Sequence, residues 1–130
     1  MKLRIMLLTS AYMLMLTSCV QKEHKKTITF KVDMSAVDSV TRVGVRGQFT
    51  SPPWQVTIPM TDHNGDNIYE VTLTEKTAQA TLAFKFVNHD DILELVNKPN
   101  RRLNFVYAQE TLEYLTTFDV ENGIQKGIRP

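Results

Sequence analysis

One cysteine, Cys19, serves the whole chain of 130 residues, so no disulfide can close within it and the fold must stand on an apolar core. Charge of one sign is lacking as well. Fifteen basic and 14 acidic residues give a formal charge of +1, without the electrostatic footprint of a nucleic-acid binder. Lys22, Lys25 and Lys26 cluster, but no basic stripe runs along the chain. Nucleic acid is therefore not an expected partner. Glycine is sparse, at five residues, and there is no Gly-rich phosphate loop and no Gly-x-Ser-x-Gly elbow. The three histidines include no pair at metal-ligand spacing, and His63 and His89 fall in predicted turns. Asp90-Asp91 is a carboxylate pair, but adjacent turn residues seldom converge on one substrate. Neither catalysis nor a cofactor nor a structural metal is expected. The most apolar run, Ile5 to Leu16, is about a dozen residues and too short for a helix across a hydrocarbon core of about 30 Å.

What that run does have is the right neighbours. Lys2 and Arg4 precede it, and Leu16-Thr17-Ser18-Cys19 follows, in the order of a secretory signal. The four residues resemble the lipobox of bacterial lipoproteins, which implies cleavage before Cys19 and acylation of that residue. An ordinary signal peptide with a cysteine beside the cut is the alternative. Several acyl chains at about 0.8 kcal/mol per buried CH₂ make a stable anchor. Two of the 15 basic residues, Lys2 and Arg4, leave with the signal, so 13 face 14 acidic ones and the mature charge is −1. The chain then divides into a signal peptide over 1–18, a polar tether over 19–26, one domain over 27–120 and a tail over 121–130.

The domain alternates with period two, as half-buried strands do. Ile28, Phe30 and Val32 alternate with polar residues; so do Val43, Val45, Gly47 and Phe49. Tyr69, Val71 and Leu73 make a third set, Leu82, Phe84 and Phe86 a fourth, and Leu103, Phe105 and Tyr107 a fifth. Leu112 to Phe118 reads as another strand. Turn clusters separate them at Ser51-Pro52-Pro53, Thr61 to Asn67, Asn88 to Asp91 and Asn97 to Asn100. The expectation is an all-β, antiparallel β-sandwich of about 7–8 strands.

Asp62-His63-Asn64-Gly65-Asp66 places oxygen groups at alternate positions, like the opening of an EF-hand loop. Asn67 stands where that loop needs Gly, and Leu73 where it needs a bidentate Glu. A tight turn joining two strands is the preferred reading; a weak calcium site completed from elsewhere is the alternative.

Several segments, taken in order, carry a resemblance. Val43-Gly-Val-Arg-Gly-Gln-Phe49 is an apolar, Gly-containing strand, and Trp54 follows it in a loop. Asp66-Asn-Ile-Tyr-Glu-Val-Thr-Leu73, Ala83-Phe-Lys-Phe-Val87 and Pro99-Asn100-Arg101 come after. Together they resemble the starch-binding domain, the family 20 type of carbohydrate-binding module, over roughly half of the chain. The resemblance implies an early-set immunoglobulin-like sandwich. It also implies a surface site in which Trp54 stacks on a sugar's C–H face while Lys85 and Asn100 hydrogen-bond its hydroxyls. Alternation puts Lys85 on the solvent side of its strand. The family's second stacking tryptophan is Leu95 here, and the acidic residue after it is Val96.

The function expected from these readings is a non-catalytic lipoprotein of the bacterial cell envelope, anchored to the membrane through Cys19. It would bind a starch- or glycogen-type α-glucan or related oligosaccharide through Trp54, Lys85 and Asn100. A structural or protein-interaction sandwich that has lost its sugar site, with envelope proteins as partners, is the alternative.

Overall fold

The computed structural model describes residues 19–128, so the signal peptide expected over 1–18 lies outside the described residues, as do Arg129 and Pro130. The described residues are all-β. Their strands are β1 (His24–Asp33), β2 (Gly44–Gly47), β3 (Ile58–Pro59), β4 (Ile68–Thr77), β5 (Thr81–Asn88), β6 (Ile92–Leu93), β7 (Arg101–Asn104), β8 (Glu110–Thr117) and β9 (Gly123–Gly127). No helix long and apolar enough to cross a membrane occurs among them.

Two sheets pack face to face as a sandwich of the immunoglobulin-like kind. One runs β4-β1-β8-β9; the other runs β3-β2-β5-β6, with β7 paired to β5. Alternation explains the packing. Ile28, Phe30 and Val32 all point inward from β1 and are fully buried. Val45, Phe84, Phe86 and Leu103 meet them from the second sheet. Phe30 lies at the centre, stacked on Phe49 at 5.5 Å and edge-on to Phe84 at 4.9 Å. Burying each such side chain contributes about 1.5–3 kcal/mol, and the edge-to-face geometry suits the ring quadrupoles.

Four features depart from the sequence expectation. The pairing is antiparallel except between β1 and β8, which run parallel, Lys26 opposite Glu110 through Asp33 opposite Thr117. β1 begins at His24, inside the expected tether, because the inward alternation continues through a polar residue, Lys26. The expected C-terminal tail contains β9, paired to β8 with Leu115 opposite Ile124. The two-residue strands β3 and β6 are too short to show any period.

The stretch Asp62 to Asn67 is a turn closed on itself. Asp62 Oδ1 accepts from the Gly65 N–H at 2.9 Å and Asp62 Oδ2 from the Asn67 N–H at 2.9 Å. Asp66 Oδ1 accepts from the Ile68 N–H. Desolvation alone would raise the Asp62 carboxyl, but the backbone N–H groups of Asn67, Gly65, Asn64 and Asp66 hold it below its usual value. Positive φ at Gly65 and Asn67 is what these residue types tolerate. No group of carboxylates, histidines and cysteines suited to a metal ion occurs among the described residues.

Candidate functional site

The face that would carry a sugar is the outer side of the β2-β5-β7 sheet. One row of the register crosses that sheet, with Phe84 directed into the core: Gly47 of β2, Phe84 of β5 and Arg101 of β7 lie side by side. The Trp54 amide donates to the Gly47 carbonyl at 3.0 Å and to Thr50 Oγ1 at 2.9 Å, which ties the tryptophan loop to one end of this row. Asn100 precedes Arg101 at the other end. Neighbouring strands stand about 4.8 Å apart, so the two anchor points are about 10 Å from each other across β5. Lys85, the next residue along β5, sits opposite Arg46 between them. The three expected residues thus belong to one region of one sheet.

Their states differ. Asn100 is exposed. Trp54 is half-buried, and its φ of 65° is the left-handed conformation that Thr50 and Gly47 hold in place. Lys85 corrects the expectation of a solvent-facing donor. Alternation does aim it away from Phe84 and Phe86, but it is only 8 % exposed. Its ammonium donates to the Leu95 carbonyl at 2.8 Å and the Lys98 carbonyl at 3.1 Å. The segment after β6 folds back across the outer face, turning through positive φ at Leu95 and Asn97, and covers the lysine. Leu95, standing where the resemblance would place a second aromatic platform, is itself buried at 4 %.

What fixes that covering segment is a pair of residues the pattern of the sequence does not reveal. Glu94 and Arg101 are buried together, 1 % and 4 % exposed. The Arg101 Nε donates to Glu94 Oε1 at 2.6 Å and its Nη2 to Glu94 Oε2 at 2.8 Å. Glu94 also accepts from the Phe86 N–H and the Asp119 N–H, while Arg101 reaches the carbonyls of Thr117, Val120 and Glu121. Burial alone would lower the Arg101 pKa; the hydrogen-bonded Glu94 carboxylate offsets that and raises it above the ordinary value. Arg101 therefore stays charged. Its only sequence signal is a Glu beside the Leu95 position and an Arg within Pro-Asn-Arg, where attention falls on the Asn.

Other chemistry-bearing residues are similarly occupied. Arg42 pairs with Asp90 at 3.0 Å and Arg46 with Asp91 at 3.3 Å, which draws the adjacent carboxylates to different partners. His89 Nδ1 hydrogen-bonds Thr41, and His63 Nε2 lies 2.8 Å from Thr61 Oγ1. On the opposite sheet Lys31 bridges Glu113 at 2.9 Å and Glu70 at 3.9 Å. The Glu113 hydrogen bond is the main reason its pKa rises, against the opposing effect of burial. Each of these groups is held by a partner of its own.

Cys19, the expected lipid attachment residue, is a free and exposed thiol at the start of the described residues. No protein-family model matches the chain, and no curated protein matches it.

Proposed function

We propose that this protein is a non-catalytic, lipid-tethered module of the bacterial cell envelope that acts as a structural or protein-interaction sandwich and not as a glucan receptor. The observation that carries this reading is the Lys85 ammonium, held by the Leu95 and Lys98 carbonyls under its own loop. Two of its three N–H donors are taken, and a sugar hydroxyl could reach the ammonium only by lifting the loop that holds both charge-assisted hydrogen bonds, an exchange with little net gain. Leu95 adds to this, because a buried aliphatic residue provides no stacking face. The lipobox-like Leu16-Thr17-Ser18-Cys19 supports the tether and the envelope location.

A second reading has one observation in its favour. The row Gly47–Phe84–Arg101 sets the backbone anchor of the Trp54 loop and the residue after the exposed Asn100 about 10 Å apart across the sheet, a spacing a single sugar ring and its rim hydroxyls could bridge. Such a site would bind an α-glucan weakly, through one half-buried ring, and would depend on many copies at a membrane.

Affinity electrophoresis of the 20–130 fragment through starch and glycogen gels separates the two. Unretarded migration, the same as in plain gel, is the result expected here. Retardation that disappears in Trp54→Ala would sink the interaction-module reading and establish the glucan site.

A further inference from the structure

The pole of the sandwich that receives the N-terminal segment is built differently from the rest of the surface. Val106 and Tyr107, at the tip of the loop between β7 and β8, are 60 % and 62 % exposed, and Val20 is 92 % exposed. Ile128 is exposed at the same pole, where its N–H bonds the Thr111 carbonyl. Apolar side chains on a loop tip would ordinarily bring their peptide groups with them into contact with water. Here those of Val106 and Ala108 are already satisfied. The Val106 and Ala108 carbonyls each accept from Lys26 Nζ at 2.6 Å. The Val106 N–H donates to Glu110 Oε1, the Ala108 N–H to the Val106 carbonyl and the Phe105 N–H to the Ala80 carbonyl. With these groups paired, the tip leaves water at a reduced polar cost, which favours entry into a lipid interface.

Where the chain leads identifies the surface that would cover this tip. The Lys22 N–H donates to the Tyr107 hydroxyl at 2.9 Å, and the His24 ring stands edge-on to Tyr107 at 4.5 Å. Cys19 is three residues before Lys22, no more than about 11 Å along the chain. An acyl group on Cys19 therefore enters the bilayer beside Tyr107. Exposed Lys22 and Lys25 flank the same pole, suited to lipid phosphates. Tyrosine is a residue of membrane–water boundaries, with its ring apolar and its hydroxyl wet.

We propose that the Val106–Tyr107 tip is a membrane-docking site that seats this pole of the sandwich on the bilayer carrying the lipid anchor. The inference rests on the lipoprotein reading above and adds an orientation to it: the domain stands on its β7–β8 loop, with the Asp62–Asn67 turn, at the other end of β1, farthest from the lipid.

Site-directed spin labelling of the full chain tests this. The chain is produced in a bacterium that acylates lipoproteins and reconstituted in vesicles of phosphatidylethanolamine and phosphatidylglycerol. Val106→Cys and Asn64→Cys carry the label, thermal melts verify folding, and the mass of the N-terminal peptide reports acylation of Cys19. With Cys19 acylated, the label at 106 is expected to lose collisions with an aqueous nickel chelate while keeping those with oxygen, and the label at 64 to remain fully aqueous. Adding Tyr107→Ser, which removes no core contact, is expected to return the 106 label toward water. Acylated protein with both labels equally aqueous would overturn the docking and leave the anchor standing. Unmodified Cys19 with no protein on the vesicles would overturn both.

Discussion

Glu94 and Arg101 face each other inside the sandwich as a two-pronged ion pair, Nε to Oε1 at 2.6 Å and Nη2 to Oε2 at 2.8 Å, with side chains 0 % and 1 % exposed. The pair ties the second sheet to the end of β8 in the first. Glu94 accepts from the β5 backbone at Phe86, and Arg101 caps the carbonyls of Thr117, at the end of β8, and of Val120 beyond it. Burying two charges costs several kcal/mol in desolvation, which such a satisfied network offsets. Its stronger effect is positional: it holds the segment that covers Lys85.

Removing one partner should therefore cost far more than removing both. Arg101→Met leaves Glu94 charged and unpaired and is expected to lower the unfolding free energy by about 3–5 kcal/mol. The double variant Glu94→Gln with Arg101→Met should recover a large part of that loss. Urea denaturation of the four proteins in the cycle measures the coupling, and strict additivity would refute it.

Lys26 should behave as a second buried keystone. It is 1 % exposed, and besides the two carbonyls it holds Glu110 Oε1 at 3.1 Å and lies 5.0 Å from the centre of the Phe105 ring. Lys26→Met is expected to destabilise by about 3 kcal/mol, since the Glu110 charge and two carbonyls lose their donor. Hydrogen exchange at Val106 and Ala108 should quicken well beyond that of the β5 amides. Uniform exchange across the domain would argue against local loosening.

Placing an aromatic at position 95 is not expected to create a sugar site. Leu95 is buried and its φ is 52°, so Leu95→Trp must force a larger side chain into a filled space. A loss of about 1–3 kcal/mol is expected, without retardation on glycogen gels. Retardation in this variant would mean that the covering segment lifts readily.

The Asp62 turn gives a pH dependence of definite sign. Its folded pKa lies below the ordinary 3.8, so the stability it contributes is fully present above that value. It is lost as pH falls through the lower folded pKa. Thermal melts between about pH 5 and about pH 2.5 should show a shallower acid decline in Asp62→Asn than in the parent. Parallel declines would assign the acid sensitivity to other carboxyls.

How much of this was legible depended on whether a residue's surroundings were local. Ile28, Phe30 and Val32 declared themselves by alternation and are fully buried. Lys26 continues that same alternation, but its burial depends on carbonyls 80 and 82 residues later, which no local pattern records. Lys85 was aimed correctly by its strand and hidden by a loop that arrives ten residues on. β9 carries Ile124 and Gln125 between glycines with most of its residues exposed, so it has no buried face to generate a period. Gln125 instead completes it from the side, exchanging hydrogen bonds with the Asn104 backbone at 2.9 and 2.7 Å. For the candidate site, the sequence grouped Trp54, Lys85 and Asn100 on one sheet region but could not tell which of them was already spoken for.

The parallel contact between β1 and β8 has a kinetic consequence. Lys26 and Glu110, its first register pair, are separated by 84 residues of chain, and β1 forms the middle of its sheet between β4 and β8. Contacts of such long range are slow to form, because the entropy of closing the intervening loop is lost before any pairing repays it. A chain emerging amino end first can pair β1 with β4 before β8 exists, yet its central strand stays open along one edge until residue 117 has appeared. The first sheet is therefore completed only late, once the last residues of β8 are available to pair with β1.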